Sequence, residues 1–232
     1  MAKQTKKKNQ VEEEELELEY EEAVEGRSIE EFLSENRNLV LGIAGGIILL
    51  IVGFLGFRFM KASQNTEAQE LMVEAPYYFE QDSLAKALNG DNTNYGFLDI
   101  ANDFGGTKSA NQANYYAGVI SLKQGNAADA IDYLNQVSST GTMLDAMKHI
   151  ALANAYLAQG DFRTAADNYS KAARLPKANE YTTPQLLLKA GETYELAGET
   201  GKAASAYRDI KNSYPKAADQ IYIEKYLARV GE

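Results

Sequence analysis

The sequence predicts an all-α protein: a single N-terminal transmembrane helix, then an α-solenoid of stacked helical hairpins closed by a C-terminal capping helix. Two observations predict it. The 19 residues from Leu39 to Phe57 carry no charge, and a glycine-centred turn recurs at Gly125, Gly160 and Gly198 with small and apolar residues in register around it. Composition narrows the function. The chain of 232 residues is 45% hydrophobic and 24% charged, so it can bury a core and is not disordered as a whole. It contains no cysteine, which excludes disulfides, thiol catalysis and thiolate zinc sites. Its one histidine, His149, excludes multi-histidine metal centres. The net charge of −10, with no basic stripe, is a poor match for a phosphate backbone, so no nucleic acid is expected.

The elements come in order along the chain. Residues 1–27 form a charged tail: Lys3, Lys6, Lys7 and Lys8, then nine glutamates between Glu12 and Glu25. Such a block cannot bury enough apolar surface to fold. Residues 28–37 read as a short interfacial helix, with Ser28 and Glu31 as a capping box before Ile29, Phe32 and Leu33. Residues 38–60 are the transmembrane helix. At ~1.5 Å per residue the uncharged run approaches the ~30 Å of a bilayer core. A cleaved signal peptide fits worse, because the run starts late and Met60 to Gln64 offers no small-x-small site. Gly42, Gly45, Gly46, Gly53 and Gly56 fall within about 100° of the helix circumference, a face on which another helix could approach closely in lipid. Arg27 and Arg37 balance Arg58 and Lys61 across the span, and the N-terminal lysines tip the chain toward a cytoplasmic N-terminus.

From residue 61 a period governs. The turns Gln124-Gly125-Asn126, Gln159-Gly160-Asp161 and Ala197-Gly198-Glu199 lie 35 and 38 residues apart. Five positions after each glycine stands alanine (Ala130, Ala165, Ala203); seven before stands a small residue (Gly118, Ala153, Gly191). Leu134, Tyr169 and Tyr207 fill one large column; Val137, Ala172 and Ile210 fill another. Small residues are expected where the two helices of a hairpin cross, pairing Gly118 with Ala130, Ala153 with Ala165, and Gly191 with Ala203. The glycines end first helices, and Pro176 and Pro215 end second ones. These columns resemble the tetratricopeptide repeat. Residues 61–108 read as a degenerate repeat region, with Phe97, Ile100, Ala101 and Phe104 as a second helix. Residues 109–232 hold three repeats and the cap. The spacing predicts helices near 64–89 (broken around Pro76 and Asp82-Ser83), 95–104, 109–124, 127–138, 142–159, 162–174, 181–197, 200–213 and 217–229.

No nucleophile motif, phosphate loop or dinucleotide fingerprint is present, so no enzyme, catalytic residue, cofactor or small-molecule substrate is predicted. No metal site is predicted either: Asp91, Asn92 and Asn94 suggest a calcium loop, but Thr93 and Tyr95 stand where further ligands are needed. His149 falls in an aromatic slot between helices. The concave face is expected to hold a partner segment in a groove of Tyr115, Val119, Leu122, Ile150, Asn154, Leu157, Leu188 and Glu192, apolar in the middle and acidic at its C-terminal end. A lysine–asparagine clamp for a terminal carboxylate is matched only at Asn154.

The order of charged N-terminus, anchor and divergent repeats resembles the ancillary SecYEG translocon subunit family, the YfgM-type single-pass inner-membrane repeat proteins. Phe97-Leu98-Asp99-Ile100, Tyr115-Tyr116-Ala117-Gly118 and Lys225-Tyr226-Leu227 look most like its Bacteroidetes members. The resemblance implies an inner-membrane anchor, a cytoplasmic N-terminus, a periplasmic repeat domain, and SecYEG and a periplasmic chaperone as partners. A scaffold of another envelope complex, or a cytoplasm-facing receptor of inverted topology, fits the same residues.

Overall fold

A computed structural model describes residues 36–139, 141–175 and 179–232. The expected tail, nearly all of the interfacial helix, and Pro176 lie outside the described residues. Within them, every regular element is a helix. The chain divides into two compact units, Met1–Phe59 and Met60–Glu232.

In the first unit the described residues after Asn36 belong to α1 (Arg37–Leu71), one helix long and apolar enough to cross a membrane. Apart from the half-buried Val40, its large apolar side chains are exposed on all sides from Leu39 to Phe57. A β-carbon added at any of the five glycines would meet nothing within 4 Å.

In the second unit, the last turns of α1 are fastened to the stretch around residues 105–109. Lys61 Nζ donates to Gly105 O at 2.7 Å, and Asn65 Oδ1 accepts from Ser109 N at 3.0 Å. Three short helices come after α1: α2 (Glu74–Glu80), α3 (Leu84–Asn89) and α4 (Phe97–Asp103). The expected break at Pro76 falls a few residues earlier, at Met72-Val73. Pro76 stands in the first turn of α2, where its missing N–H has no partner to lose. The second expected break is present, with Asp82 left-handed at φ 54°. Phe97 and Ile100 are fully buried, and Phe97 stacks on Tyr116 with ring centroids 4.7 Å apart. The 90–94 loop is closed by its own aspartate. Asp91 accepts from Tyr78 Oη at 2.6 Å and from the backbone N–H groups of Thr93 and Asn94. The phenol hydrogen bond and those N–H groups hold its carboxyl at about 2.

Three hairpins complete the repeats: α5 (Lys108–Lys123) with α6 (Ala127–Gln136), α7 (Met143–Gln159) with α8 (Phe162–Ala173), and α9 (Thr182–Leu196) with α10 (Thr200–Ser213). Each helix packs on its chain neighbours, so consecutive hairpins share a core. Gly125, Gly160 and Gly198 stand at φ 82°, 78° and 73°, where a β-carbon would strain the backbone. Each closes the same pair of hydrogen bonds. The glycine N–H reaches Leu122, Leu157 or Glu195 O, and the next N–H reaches Ser121, Tyr156 or Tyr194 O at 2.8–2.9 Å. That satisfies first-helix carbonyls that would otherwise be orphaned.

The columns pack as the period requires, with one correction. Ala130, Ala165 and Ala203 are fully buried, and a β-carbon on Gly118 would stand 2.6 Å from Leu134 Cγ and 3.2 Å from Ala130 O. Gly191, expected against Ala203, instead has its nearest neighbours in the Tyr207 ring, one turn further along α10; its β-carbon would lie 2.3 Å from Cε1. An aromatic in that column reaches back across the crossing and takes the space a smaller side chain would leave.

The cap also departs from expectation. Residues 217–229 do not form one helix. Pro215 opens α11 (Pro215–Ile221), Tyr222 turns left-handed at φ 55°, and α12 (Ile223–Arg229) begins. The break turns Ile223 and Leu227 into the core shared with α8, α9 and α10 and sets the Tyr226 ring 5.3 Å from that of Tyr207.

Gly191→Leu is expected to force Tyr207 from its place and cost about 1–3 kcal/mol, because a fully buried ring has nowhere to move. Circular-dichroism melting of the full chain in mild detergent should show the loss as several degrees. An unchanged midpoint would mean that α9 and α10 do not cross there.

Candidate functional site

Five of the eight expected groove residues come together. Tyr115, Val119 and Leu122 on α5 face Ile150 and Asn154 on α7 across an open groove of about 540 Å³, with Lys123, Met147, Ala151 and Ala158 completing its lining. On both helices these residues recur every three or four positions, so one face of each turns to the groove. Leu157 and Leu188 are not part of it: they are half-buried against the core of the last two hairpins. Glu192 is exposed on α9, also outside the groove lining.

A second hollow adjoins the groove. Gly141, Thr142, Met143, Ala146, Leu175, Thr183 and Leu186 line a cavity of about 130 Å³ that shares Met147 and Ile150 with it. Met143 and Met147 are among the exposed large apolar side chains of the repeat unit. Neither is among the eight expected groove residues, although their spacing of four on one helix puts both on one side. Methionine adapts its shape to different apolar partners, which suits a surface that accepts a segment.

Core tyrosines occupy the polar groups of this face. Tyr169 Oη donates to Asn154 Oδ1 at 2.5 Å, so the asparagine oxygen is already satisfied. Tyr207 Oη donates to Glu195, and Arg229 of α12 grips the same carboxylate through Nε and Nη2 at 2.7 Å each. Burial of Glu195 works against its charge, but the hydrogen bonds from Arg229 and Tyr207 outweigh it and hold its carboxyl below the ordinary value of 4.5. Burial and the Glu195 hydrogen bond push the Tyr207 phenol up. The expected acidic end is thus partly neutralised by the cap, leaving Glu192 as the exposed acid on α9. At the opposite end Lys123 Nζ lies 3.3 Å from Asp82 Oδ1 and 5.1 Å from the Phe79 ring centroid.

His149 is held in place rather than presented. Asn168 Nδ2 donates to Thr164 O at 2.9 Å, so its Oδ1 is the acceptor for His149 Nδ1, also at 2.9 Å. Among the described residues, no three of His, Cys, Asp and Glu gather as a metal site would require.

A family model described as a tetratricopeptide repeat-like domain matches residues 30–230. No curated protein matches the chain.

The Glu195–Arg229 pair should show itself in acid. A carboxyl depressed in the folded state stabilises above its unfolded value near 4.5, and that contribution fades as pH falls through the folded value. Arg229→Gln is expected to lower the melting midpoint at pH 7 by the equivalent of about 1 kcal/mol, since the guanidinium is half exposed. The gap from wild type should narrow as pH drops below 4.5. A gap that stays constant with pH would mean that Arg229 acts by packing on Tyr226 alone.

Proposed function

The chain belongs to the tetratricopeptide repeat-like domain family, and from that premise we propose that it is a membrane-anchored docking protein, an ancillary subunit of the Sec translocon. A repeat fold of this kind acts in protein–protein interaction and typically carries no catalytic site. One observation carries the docking reading: α5 and α7 bring Tyr115, Val119, Leu122, Met147 and Ile150 to one open groove in a soluble-type repeat unit, where apolar area gains free energy only when covered. An apolar stretch of a partner polypeptide covers it.

The reading places residues 1–27 and 28–37 in the cytoplasm and at the membrane surface, residues 38–60 across the inner membrane, and the degenerate region 61–108 and repeats 109–232 in the periplasm. SecYEG meets the glycine face of the span, and a periplasmic chaperone or an emerging client meets the groove. The N-terminal lysines and the uncharged run from Leu39 to Phe57 support the anchor and its direction. The translocon itself rests on the resemblance of the whole element order to the YfgM-type family.

Two experiments test it. Cysteines introduced at Ser63 and Asn92 should react with an impermeant maleimide in intact spheroplasts; reaction only after lysis would put the repeats in the cytoplasm and favour a receptor. Purification in mild detergent should then separate the two surfaces. Gly46→Leu with Gly53→Leu should lose SecYEG and keep chaperone or client, and Ile150→Glu should do the reverse. If SecYEG is missing from the wild-type sample, the translocon role fails and an envelope scaffold replaces it.

A further inference from the structure

The hollow beside the groove lies where α7, the end of α8 and α9 meet, between the second and third hairpins. Its lining grades from exposed to buried. Met143 and Met147 form an exposed rim, Ala146, Ile150 and Leu186 are half-buried walls, and Ala172 and Thr183 are a buried floor. No charged residue is among its described lining.

The polar groups nearby are already engaged or turned away. The N–H groups of Gly141 and Thr142 donate to Asp145 Oδ2, and those of Tyr181 and Thr182 donate to Asn179 Oδ1. Both helix starts that border the hollow are thus closed to an anion. Thr183 donates its N–H to Asn179 O, and its hydroxyl oxygen is buried out of reach of solvent, so what it shows the hollow is not the hydroxyl. The side chains of the floor offer no hydrogen bond.

Size completes the selection. A volume of about 130 Å³ is close to the ~150 Å³ of an apolar cavity that holds benzene. A phenyl ring entering past Met143 and Met147 meets two thioethers, which make favourable contacts with aromatic edges. Its para carbon leads toward the floor. A tyrosine in the same pose would carry its hydroxyl to a floor without a partner, and a charged side chain would lose its hydration with nothing in return. Met147 and Ile150 line both the hollow and the groove, so a segment lying in the groove has the hollow directly across a ridge of two side chains.

We propose that this hollow is the anchor pocket of the groove and takes one phenylalanine side chain of the partner polypeptide. The inference rests on the docking reading and names what that reading leaves open, the feature by which a segment is recognised. The groove covers an uncharged apolar stretch, and the ring fixes its register.

The test is titration of the full chain in lipid nanodiscs, since detergent tails would compete for an apolar hollow. The probes are dye-labelled peptides Ser-Ala-Leu-Ala-Xaa-Ala-Leu-Ala-Ser with Phe, Tyr or Ala at the centre, followed by fluorescence anisotropy. The Phe peptide should bind at least about tenfold more tightly than the Ala peptide, and more tightly than the Tyr peptide. This ranking on the wild-type chain tests the proposal without any substitution. Ala146→Leu, which extends a side chain into the hollow, should erase the advantage of Phe and leave the Ala peptide unchanged, with a melting midpoint at or above wild type. Equal binding of the Phe and Ala peptides, both lost in Ile150→Glu, would overturn the anchor and leave the docking groove standing. A Tyr peptide as tight as the Phe peptide would overturn the apolar floor and with it the proposal. No binding of any peptide by the wild-type chain would overturn the anchor and the docking reading together. Differently tagged chains that co-purify and are separated by the Phe peptide would give the hollow to a second copy instead.

Discussion

Where the two helices of the first and third hairpins cross, the backbone of one runs so near the side chains of the other that a single β-carbon does not fit. At Gly118 it would meet Leu134, and at Gly191 the ring of Tyr207. The rest of the repeat unit depends on this approach. It lets Leu134 and Tyr207 lie across those crossings and reach complete burial, and Tyr169 is nearly as buried in the hairpin where Ala153 stands. Those large side chains, not the small ones beneath them, supply most of the apolar area removed from water. Neither helix of a pair could bury such a column alone, and the left-handed glycine between them sets the register in which they meet.

The same column decides what the outer face can offer. A tyrosine in it carries its hydroxyl through to the first helix and must find an acceptor there, because a buried phenol without one is costly. Tyr169 finds Asn154 and Tyr207 finds Glu195. In the first repeat the column holds Leu134, which asks for nothing. Polar groups on the faces of α7 and α9 are therefore recruited into structure, while the face of α5 stays apolar with Tyr115, Val119 and Leu122. The α5 wall of the groove sits where the core makes no polar demand, and on α9 the cap takes Glu195 through Arg229.

Much of this is legible in the sequence because the information is local. A glycine that ends a helix, an alanine five residues on and an uncharged run of 19 residues each report a backbone or packing requirement within one hairpin. Five groove residues are legible for the same reason: their spacing alone puts them on one side of α5 and α7. The failures are non-local. Spacing pairs Gly191 with Ala203 because small residues are expected to face small ones, and nothing in it reports that a ring one turn away will claim the space. The cap reads as one helix because Tyr222 is not a residue that announces a left-handed turn; packing of Ile223, Tyr226 and Leu227 imposes it. Leu157 and Leu188 read as groove residues because a helical face does not say which neighbour will cover it.

The two kinds of surface on this chain obey different physics. In water an apolar groove gains by covering apolar area, so recognition by one is coarse and depends on shape and apolarity alone. In lipid that gain vanishes, since the bilayer is as apolar as the helix, and what remains is how closely two backbones approach. A face of five glycines on α1 with nothing from the described residues against it maximises that approach and adds no chemical signature. Selectivity for a membrane partner must then come from geometry, from a helix whose own small residues or grooves match the stripe. On the proposed reading, permissive capture in the repeats and exacting contact in the span would let a subunit stay with one machine while handling many chains.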